Sequence, residues 1–164
     1  MTGRRSASSS AGRSPRPGRR LVLLDTNALL LPFTAGIDLR AEVRRWDAAA
    51  VVAVPTGARG ELDRLVARGV RFAVAARALA ASFPELPTDR RGDAGLLELA
   101  RERGAAVVTA DRGLGRRLRA AGVPVLTPRD RNRLTALGPR PGPKRPVRSA
   151  GRATVKKRPR LGRE

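Results

Sequence analysis

Four acidic residues stand where a parallel α/β fold would bring them together. Asp25 ends a continuous apolar run, Leu21–Leu24, and Asp111 follows a second such run. Glu61 and Asp93 lie near the starts of helical patterns between them. Clusters made only of oxygen ligands favour hard divalent cations, and the chain has no His or Cys to supply nitrogen or thiolate. If these side chains converge, the sequence predicts a Mg²⁺ or Mn²⁺ site.

Each acid also has a simpler explanation. Asp is a favoured helix N-cap, and Asp25, Asp93 and Asp111 all precede helical residues. Glu61 also fits an ordinary solvated position in an early helical turn. Carboxylates about 5 Å apart, however, repel by roughly 3 kcal/mol at an effective dielectric of about 20, and a bound dication removes that cost. Four such acids together therefore favour a metal site over four unrelated surface groups.

The hydrophobic pattern between residues 21 and 135 alternates strands with helices. Strands are predicted at Leu21–Leu24, Val51–Val54, Ala105–Val108 and Val123–Leu126. Helices are predicted at Ile37–Trp46, from Thr56 as N-cap to Gly69, at Val70–Phe83, from Asp93 as N-cap to Arg103, and at Arg112–Ala121. The order helix, glycine, strand occurs twice, which is typical of right-handed βαβ crossovers. The sequence therefore predicts an α/β fold, a three-layer α/β/α sandwich on a parallel sheet.

This arrangement would place the four acids at one edge of the sheet. In open parallel sheets, ligands bind beyond the carboxyl ends of the strands, where the strand order reverses. Asp25 and Asp111 follow directly after strands, and the helices that begin near Glu61 and Asp93 pack at the same edge. We therefore expect all four carboxylates to face one crevice.

Positive charge is unevenly distributed along the 164 residues, which carry a net charge of +21. Residues 1–20 contain six Arg and no acid, and residues 136–164 contain ten Lys or Arg and one Glu. Such Pro-, Gly-, Ser- and Arg-rich segments bury too little apolar surface to fold, so we predict disordered basic tails on either side of one domain at 21–135. A chain this basic favours nucleic acid as its partner, because neutralised phosphates release counterions.

Neither membrane insertion nor secretion is expected. The tails offer no apolar face to insert into an anionic membrane. The run Leu21–Leu24 is broken by Asp25, which makes it a poor signal peptide, and it is too short to span a bilayer. Absence of Cys excludes disulfides and thiolate metal sites but does not fix the compartment. The cytoplasm is the default expectation.

Four segments of the chain resemble the signature segments of PIN-domain ribonucleases. They are Leu21–Leu29, Val54–Thr56 leading to Glu61-Leu62, Gly92–Ala94 leading to Leu96-Leu97, and Val108–Asp111. The resemblance covers nearly all of residues 21–128, with the segments in order and at ordinary spacings. The closing segments at 123–126 and 132–134 resemble the archaeal branch similar to small-subunit rRNA-processing PIN proteins.

The resemblance implies a PIN-like parallel sheet and metal-dependent cleavage of single-stranded RNA. It makes the four acids the catalytic Mg²⁺ or Mn²⁺ ligands, and it gives Asn27 and Thr109 the task of orienting ligands or substrate. Ala94 departs from the family pattern, because many relatives have a second acid there, so one tightly held ion plus one recruited by substrate is an option. PIN relatives are often dimers, which leaves a homodimer open.

The residue types that the sequence lacks limit which nucleophiles are available. Without His, Tyr or Cys, neither a paired-imidazole mechanism nor a covalent intermediate on Tyr or Cys is available. Metal-activated water is left, and its in-line attack on phosphorus would give 5′-phosphate and 3′-hydroxyl ends. Five arginines near the acids in sequence are candidates for binding the RNA backbone: Arg90, Arg91, Arg112, Arg116 and Arg117. A solvated helical face explains any single one of them equally well.

Other acid-based α/β enzymes fit the sequence less well. A haloacid-dehalogenase-type phosphatase needs a second Asp where this chain has Asn27. A receiver domain needs an acidic pair before its phospho-acceptor and a late Lys, whereas Leu23-Leu24 and a Lys-free core stand here. A Gly-rich loop with Lys and Ser or Thr for phosphate binding is also absent from the sequence.

Three roles stay open within the PIN resemblance. Processing or quality control of rRNA is favoured by the basic tails, which suit a large structured RNA. The toxin half of a toxin–antitoxin pair, with an antitoxin as partner, is the second role. A non-catalytic RNA-binding assembly protein on a PIN scaffold is the third. The few aromatic residues are Phe33, Trp46, Phe72 and Phe83. We expect them in the core, so no platform for stacking bases is predicted.

Overall fold

The computed structural model describes residues 19–139. Within that range six strands form one sheet in the order β3-β2-β1-β4-β5-β6. The strands are β1 (Leu21–Leu24), β2 (Val51–Pro55), β3 (Glu85–Leu86), β4 (Ala106–Val108), β5 (Val125–Asp130) and β6 (Arg133–Leu137). Strands β1 to β5 pair in parallel, and β6 pairs antiparallel with β5. Residues 1–18 and 140–164, which hold most of the two predicted disordered tails, lie outside the described range.

Helices cover both faces of this sheet. They are α1 (Thr26–Thr34), α2 (Leu39–Trp46), α3 (Thr56–Ala67), α4 (Ala73–Ala81), α5 (Gly92–Arg103) and α6 (Arg112–Ala120). Among the helices in residues 19–139, none is both long enough and apolar enough to cross a bilayer.

Strand β1 shows how the two layers of helices are separated. Its side chains alternate, and all four are buried. Val22 and Leu24 belong to the core beneath α1 to α4, whereas Leu21 and Leu23 belong to the core beneath α5 and α6. Each fully buried Leu or Val contributes roughly 2 kcal/mol through the hydrophobic effect. The predicted three-layer α/β/α sandwich is therefore confirmed, and a strand covered on both faces explains the continuous apolar run.

The strand order reverses between β1 and β4. From β1 the chain builds outwards through β2 and β3 on one side and through β4 and β5 on the other. At the carboxyl end of β1, the backbone N–H of Asp25 donates to the carbonyl oxygen of Val108 at 3.3 Å. A crevice forms beyond strands at such a reversal, because the two flanking connections leave in opposite directions.

Two predicted N-caps lie inside their helices instead. Pro55 caps α3 in an extended conformation, and the hydroxyl of Thr56 pairs with that of Thr88 at 2.9 Å. Arg91 caps α5, which places Asp93 in the first turn. An acid in the first turn still interacts favourably with the helix dipole. Both helices therefore begin one or two residues earlier than capping preferences predict.

The helix predicted at 70–83 begins only at Ala73. Phe72 has a φ of 65°, the left-handed conformation that side chains disfavour by roughly 1–2 kcal/mol, so the helix cannot extend through it. Its ring stacks on Phe33 at a centroid distance of 6.1 Å, and the Arg71 guanidinium lies 4.5 Å from its centroid. The expectation that Phe33 is a core residue is wrong, since it is 36% exposed.

The edges of the sheet differ most from the sequence prediction. Strand β3 has only two residues, and it lies between Pro84 and Pro87, which indicate a helix stop and a loop in the sequence. The last two strands form a hairpin that continues to Leu137, two residues beyond the boundary predicted at 135. Leu134 is buried in the core and fixes which face of that hairpin points inwards.

Candidate active site

Asp25 is the buried acid of the site. It caps α1, and its Oδ1 accepts a hydrogen bond from the backbone N–H of Ala28 at 2.5 Å while its Oδ2 accepts one from the hydroxyl of Thr109. The pKa of Asp25 is raised to about 7, mainly because the carboxylate is buried; the hydrogen bonds from Thr109 and Ala28 oppose this rise, and the charges of Asp111 and Asp93 add to it. These carboxylates are thus near enough to repel one another.

Asp111 caps α6 beyond the end of β4. Its Oδ1 accepts hydrogen bonds from the backbone N–H groups of Gly113 and Leu114 at 2.7 and 3.0 Å. These backbone hydrogen bonds lower the pKa of Asp111, and the positive charges of Arg117 and Arg116 lower it further. Asp111 is therefore ionised at neutral pH, and it is exposed at the mouth of the site.

Glu61 reaches the same place from α3. Its Oε2 accepts a hydrogen bond of 2.7 Å from the hydroxyl of Thr26, the first residue of α1. Thr26 is buried, so its short side chain fixes one oxygen of an otherwise exposed carboxylate. Thr26 is not among the residues predicted from the sequence to act at the site. Its position directly after Asp25, at the start of a helix, is the signal that would have indicated it.

Asp93 is held by an arginine. Arg117, on α6, donates from Nη2 to Oδ2 of Asp93, on α5. Their side chains are 59% and 46% exposed. Arg117 is predicted from the sequence as a candidate for binding the RNA backbone, whereas this ion pair is not predicted.

All four predicted acids line one cleft of about 120 Å³ at the carboxyl ends of β1, β2 and β4. Asn27 lines it too, as do Gly57, Thr88 and Gly92. In residues 19–139 no group of three or more acidic side chains lies close enough together to coordinate a metal ion without rearrangement. The structure therefore shows convergence on one cleft, with the carboxylates held by the protein's own donors.

The predicted arginines are all exposed, but they occupy different positions. Arg90 pairs with Glu98 at 3.7 Å, and Arg91 caps α5. Arg112, Arg116 and Arg117 lie along α6, the helix that Asp111 caps. The three on α6 therefore lie on an element that reaches the cleft.

Gly95 explains how the chain enters α5. A Cβ at this position would overlap the carbonyl oxygen of Arg90, so the segment before the helix packs directly against its first turns. Gly92, with a φ of 66°, makes the sharp turn between them. Together the two glycines set the position of Asp93. The spacing Gly92-Asp93-Ala94-Gly95 is the signal in the sequence that would have indicated this turn and close packing.

The fold and the cleft define an α/β protein with a carboxylate-lined cleft at the carboxyl edge of its parallel strands. The family model described as "PIN like domain" matches residues 22–131, and the chain belongs to that family. A search of curated proteins found no match. Among solved structures, the chain is similar to the one titled "Structure of the PIN domain endonuclease Utp24". The two sequences are 25% identical, the TM-score is 0.61, and the match covers 76% of this chain and 97% of that one.

These comparisons confirm the predicted PIN family and the predicted fold. They support a nuclease of the PIN type, an enzyme class that hydrolyses nucleic-acid backbones and generally uses divalent ions.

Proposed function

We propose that this protein is a Mg²⁺- or Mn²⁺-dependent endoribonuclease that hydrolyses single-stranded RNA. The observation that carries the proposal is the convergence of Asp25, Glu61, Asp93 and Asp111 on one cleft at the reversal of strand order. Membership of the PIN-like family and likeness to a PIN domain endonuclease support the same activity.

The residues present fit a hard divalent cation. Their ligand atoms are all carboxylate oxygens, and the chain has no His or Cys to recruit a softer metal. Burial, with a smaller contribution from the charges of Asp111 and Asp93, raises the pKa of Asp25, and a bound dication would offset this cost of ionising the carboxyl. Asp25, Glu61, Asp93 and Asp111 would hold the ion. A bound divalent ion would make water a better nucleophile and neutralise charge on the phosphoryl group.

The protein's own groups position this chemistry. Thr109 and the Ala28 N–H fix both oxygens of Asp25, and Thr26 fixes one oxygen of Glu61, so these carboxylates are oriented before substrate arrives. Such pre-orientation lowers the cost of reaching the reactive geometry. Asn27, exposed on the cleft wall, is placed to hydrogen-bond a phosphate or ribose oxygen.

The part of the cleft lined by Gly57 and Gly92 suits an approaching RNA backbone. Gly57 and Gly92 present no side chain to the cleft, which lets a phosphodiester come close to the main chain. The α6 arginines Arg112, Arg116 and Arg117 would bind flanking phosphates. Arg90 and Arg91 are assigned the same role on the segment that leads into α5.

For the biological role we propose rRNA processing or quality control, in the cytoplasm. The net charge of +21 and the resemblance to small-subunit rRNA-processing PIN proteins support this role. Crosslinking of the protein to RNA in cells, followed by sequencing, should recover rRNA. Recovery of one tRNA or mRNA class would support the toxin role instead.

The activity test compares wild type with Asp25→Asn and Asp111→Asn on single-stranded RNA in Mn²⁺, in Mg²⁺ and in EDTA. Asp63→Asn is the matched control, because it neutralises an exposed acid on α3 that pairs with Arg77 at 3.6 Å and does not line the cleft. We expect cleavage that needs metal, leaves 5′-phosphate ends, and falls at least about 100-fold in both Asp variants but not in the control. Equal cutting by every variant would indicate a contaminant. RNA binding without cutting in any metal would favour the non-catalytic role.

A further inference from the structure

Arg117 already occupies one carboxylate of the proposed metal site. Its guanidinium donates to Asp93 across the gap between α6 and α5, a contact that joins residues 24 apart in sequence. Counting only contacts within residues 19–139, Asp93 is the one acid of the cleft whose carboxylate forms an ion pair with an arginine. A divalent ion and a guanidinium repel each other, so both cannot bind the same carboxylate oxygens at full strength.

The backbone of Arg117 is fixed, whereas its side chain can move. Leu114 and Leu118 anchor the inner face of α6 in the core, with exposures of 2% and 0%. The Arg117 and Asp93 side chains are each about half exposed. Exposed ion pairs are weak, so a dication would displace the guanidinium without disturbing the helix.

We propose that Arg117 is a positioning residue that holds Asp93 in the metal-free protein and is released to bind an RNA phosphate when a divalent ion takes its place. This inference rests on the proposed function, because it requires Asp93 to be a metal ligand and RNA to be the substrate. A released guanidinium beside the cleft is chemically suited to a phosphate, which it binds through two parallel hydrogen bonds. Metal binding would then increase affinity for RNA, and RNA would increase affinity for metal.

Arg116 provides a matched control. It lies on the same helix one residue earlier, is exposed, and also acts on Asp111 through its charge. The ion pair with Asp93, however, belongs to Arg117. Removing either arginine takes the same charge from α6, but only removal of Arg117 frees Asp93.

The first test is Mn²⁺ binding by calorimetry, without RNA, to wild type, Arg117→Ala and Arg116→Ala. Competition predicts that Arg117→Ala binds Mn²⁺ about three- to tenfold more tightly than wild type, and that Arg116→Ala stays within about twofold. Unchanged or weaker binding by Arg117→Ala would overturn the inference, as would an equal gain in Arg116→Ala. Mn²⁺ uptake by none of the three proteins would overturn the metal site of the proposed function, and the competition with it.

The second test measures RNA affinity in EDTA as a function of salt. Asp93→Asn and Asp111→Asn each remove one negative charge from the cleft, but only Asp93→Asn breaks the ion pair. We expect the slope of log RNA affinity against log salt concentration to be steeper for Asp93→Asn than for Asp111→Asn by about one released counterion. The double variant Asp93→Asn with Arg117→Ala should lose that excess slope. Equal slopes for the two Asp variants would show that Arg117 does not transfer to RNA. This result would leave the endoribonuclease proposal intact.

Discussion

The hydroxyl of Thr109 donates a hydrogen bond to the buried carboxylate of Asp25. The same oxygen accepts a hydrogen bond from the backbone N–H of Asp111 at 3.0 Å. One fully buried side chain at the end of β4 therefore connects the acid that follows β1 with the acid that caps α6. This connection fixes two of the four cleft carboxylates relative to each other.

Replacing Thr109 by Val keeps the shape of the side chain and removes the hydroxyl. We expect a loss of about 1–2 kcal/mol in the free energy of unfolding, because a buried acceptor and a backbone donor lose their partner. The pKa of Asp25 should rise further, since the hydrogen bond from Thr109 lowers it. Urea denaturation measures the first effect, and the pH dependence of Mn²⁺ binding measures the second.

Thr109→Ser is the matched comparison, because it keeps the hydroxyl and loses a buried methyl. It should cost similar stability while leaving the pH dependence of Mn²⁺ binding close to that of wild type. If Val and Ser shift that pH dependence equally, the hydroxyl does not act on Asp25.

Asp25 should make the metal-free protein less stable as the pH rises. Its pKa is 3.8 when unperturbed and about 7 in the folded protein, so the folded state binds more protons than the unfolded state between these values. The contribution of Asp25 is therefore most favourable below pH 3.8, declines through the interval, and is lost above pH 7. The change in the free energy of unfolding from Asp25 across this interval is at most about 4 kcal/mol.

Asp25→Asn isolates this effect from the other acids. In EDTA the variant should be more stable than wild type at pH 8, and the difference should shrink as the pH falls towards 4. Mn²⁺ at pH 8 should stabilise wild type more than the variant, because a ligand that binds only the folded state raises stability. Parallel stability curves for the two proteins in EDTA would contradict the pKa assigned to Asp25.

The sequence was sufficient to predict the edge of the sheet at which the acids meet. Asp25 and Asp111 each follow an apolar run and precede a helix, and these local signals determine both the strand end and the cap. Their position beyond neighbouring parallel strands then follows from general rules of α/β sheets. Convergence of the acids was therefore predictable without coordinates.

The contacts that hold the acids were not predictable in the same way. The hydroxyl of Thr26 meets Glu61 across 35 residues of sequence, and Arg117 meets Asp93 across 24. Such pairs depend on the register and separation of helices, which hydrophobic periodicity does not encode. The sequence identified Arg117 only as one of several positive charges near the cleft.

Gly95→Ala tests the close packing before α5. A methyl group there would overlap the carbonyl oxygen of Arg90, a backbone atom that cannot move without shifting the turn before Asp93. We expect destabilisation of about 1–3 kcal/mol and weaker Mn²⁺ binding. Thermal denaturation and calorimetry provide the two measurements.

Gly60→Ala is the control for this substitution. Gly60 lies within α3, and a Cβ there would meet open space. Because Ala is the better helix former, this variant should gain about 0.5–1 kcal/mol. A destabilised Gly60→Ala, or a neutral Gly95→Ala, would show that the local packing differs from this description.

Glu42 is not among the residues predicted from the sequence, and its side chain joins α2 to strand β6. Its buried carboxylate accepts hydrogen bonds from the backbone N–H of Leu134 at 2.8 Å and from Arg45 at 2.7 Å, and Arg133 lies 3.7 Å away. The hydrogen bond from Arg45 is the main reason that the pKa of Glu42 is lowered. Its contribution to stability should therefore be present above pH 4.5 and be lost as the pH falls below that value.

Glu42→Ala should lower the free energy of unfolding at pH 7 by about 2–4 kcal/mol, because it leaves the Leu134 N–H without its acceptor and removes the carboxylate that pairs with Arg45 and Arg133. Glu98→Ala removes an exposed acid paired with Arg90 at 3.7 Å and should cost less than about 0.5 kcal/mol. Hydrogen exchange of the Leu134 amide should accelerate in the first variant only, since that N–H loses its partner there. Equal stability of the two variants would mean that the hairpin is held by its apolar face, through Leu134 and its neighbours, and that the carboxylate adds nothing.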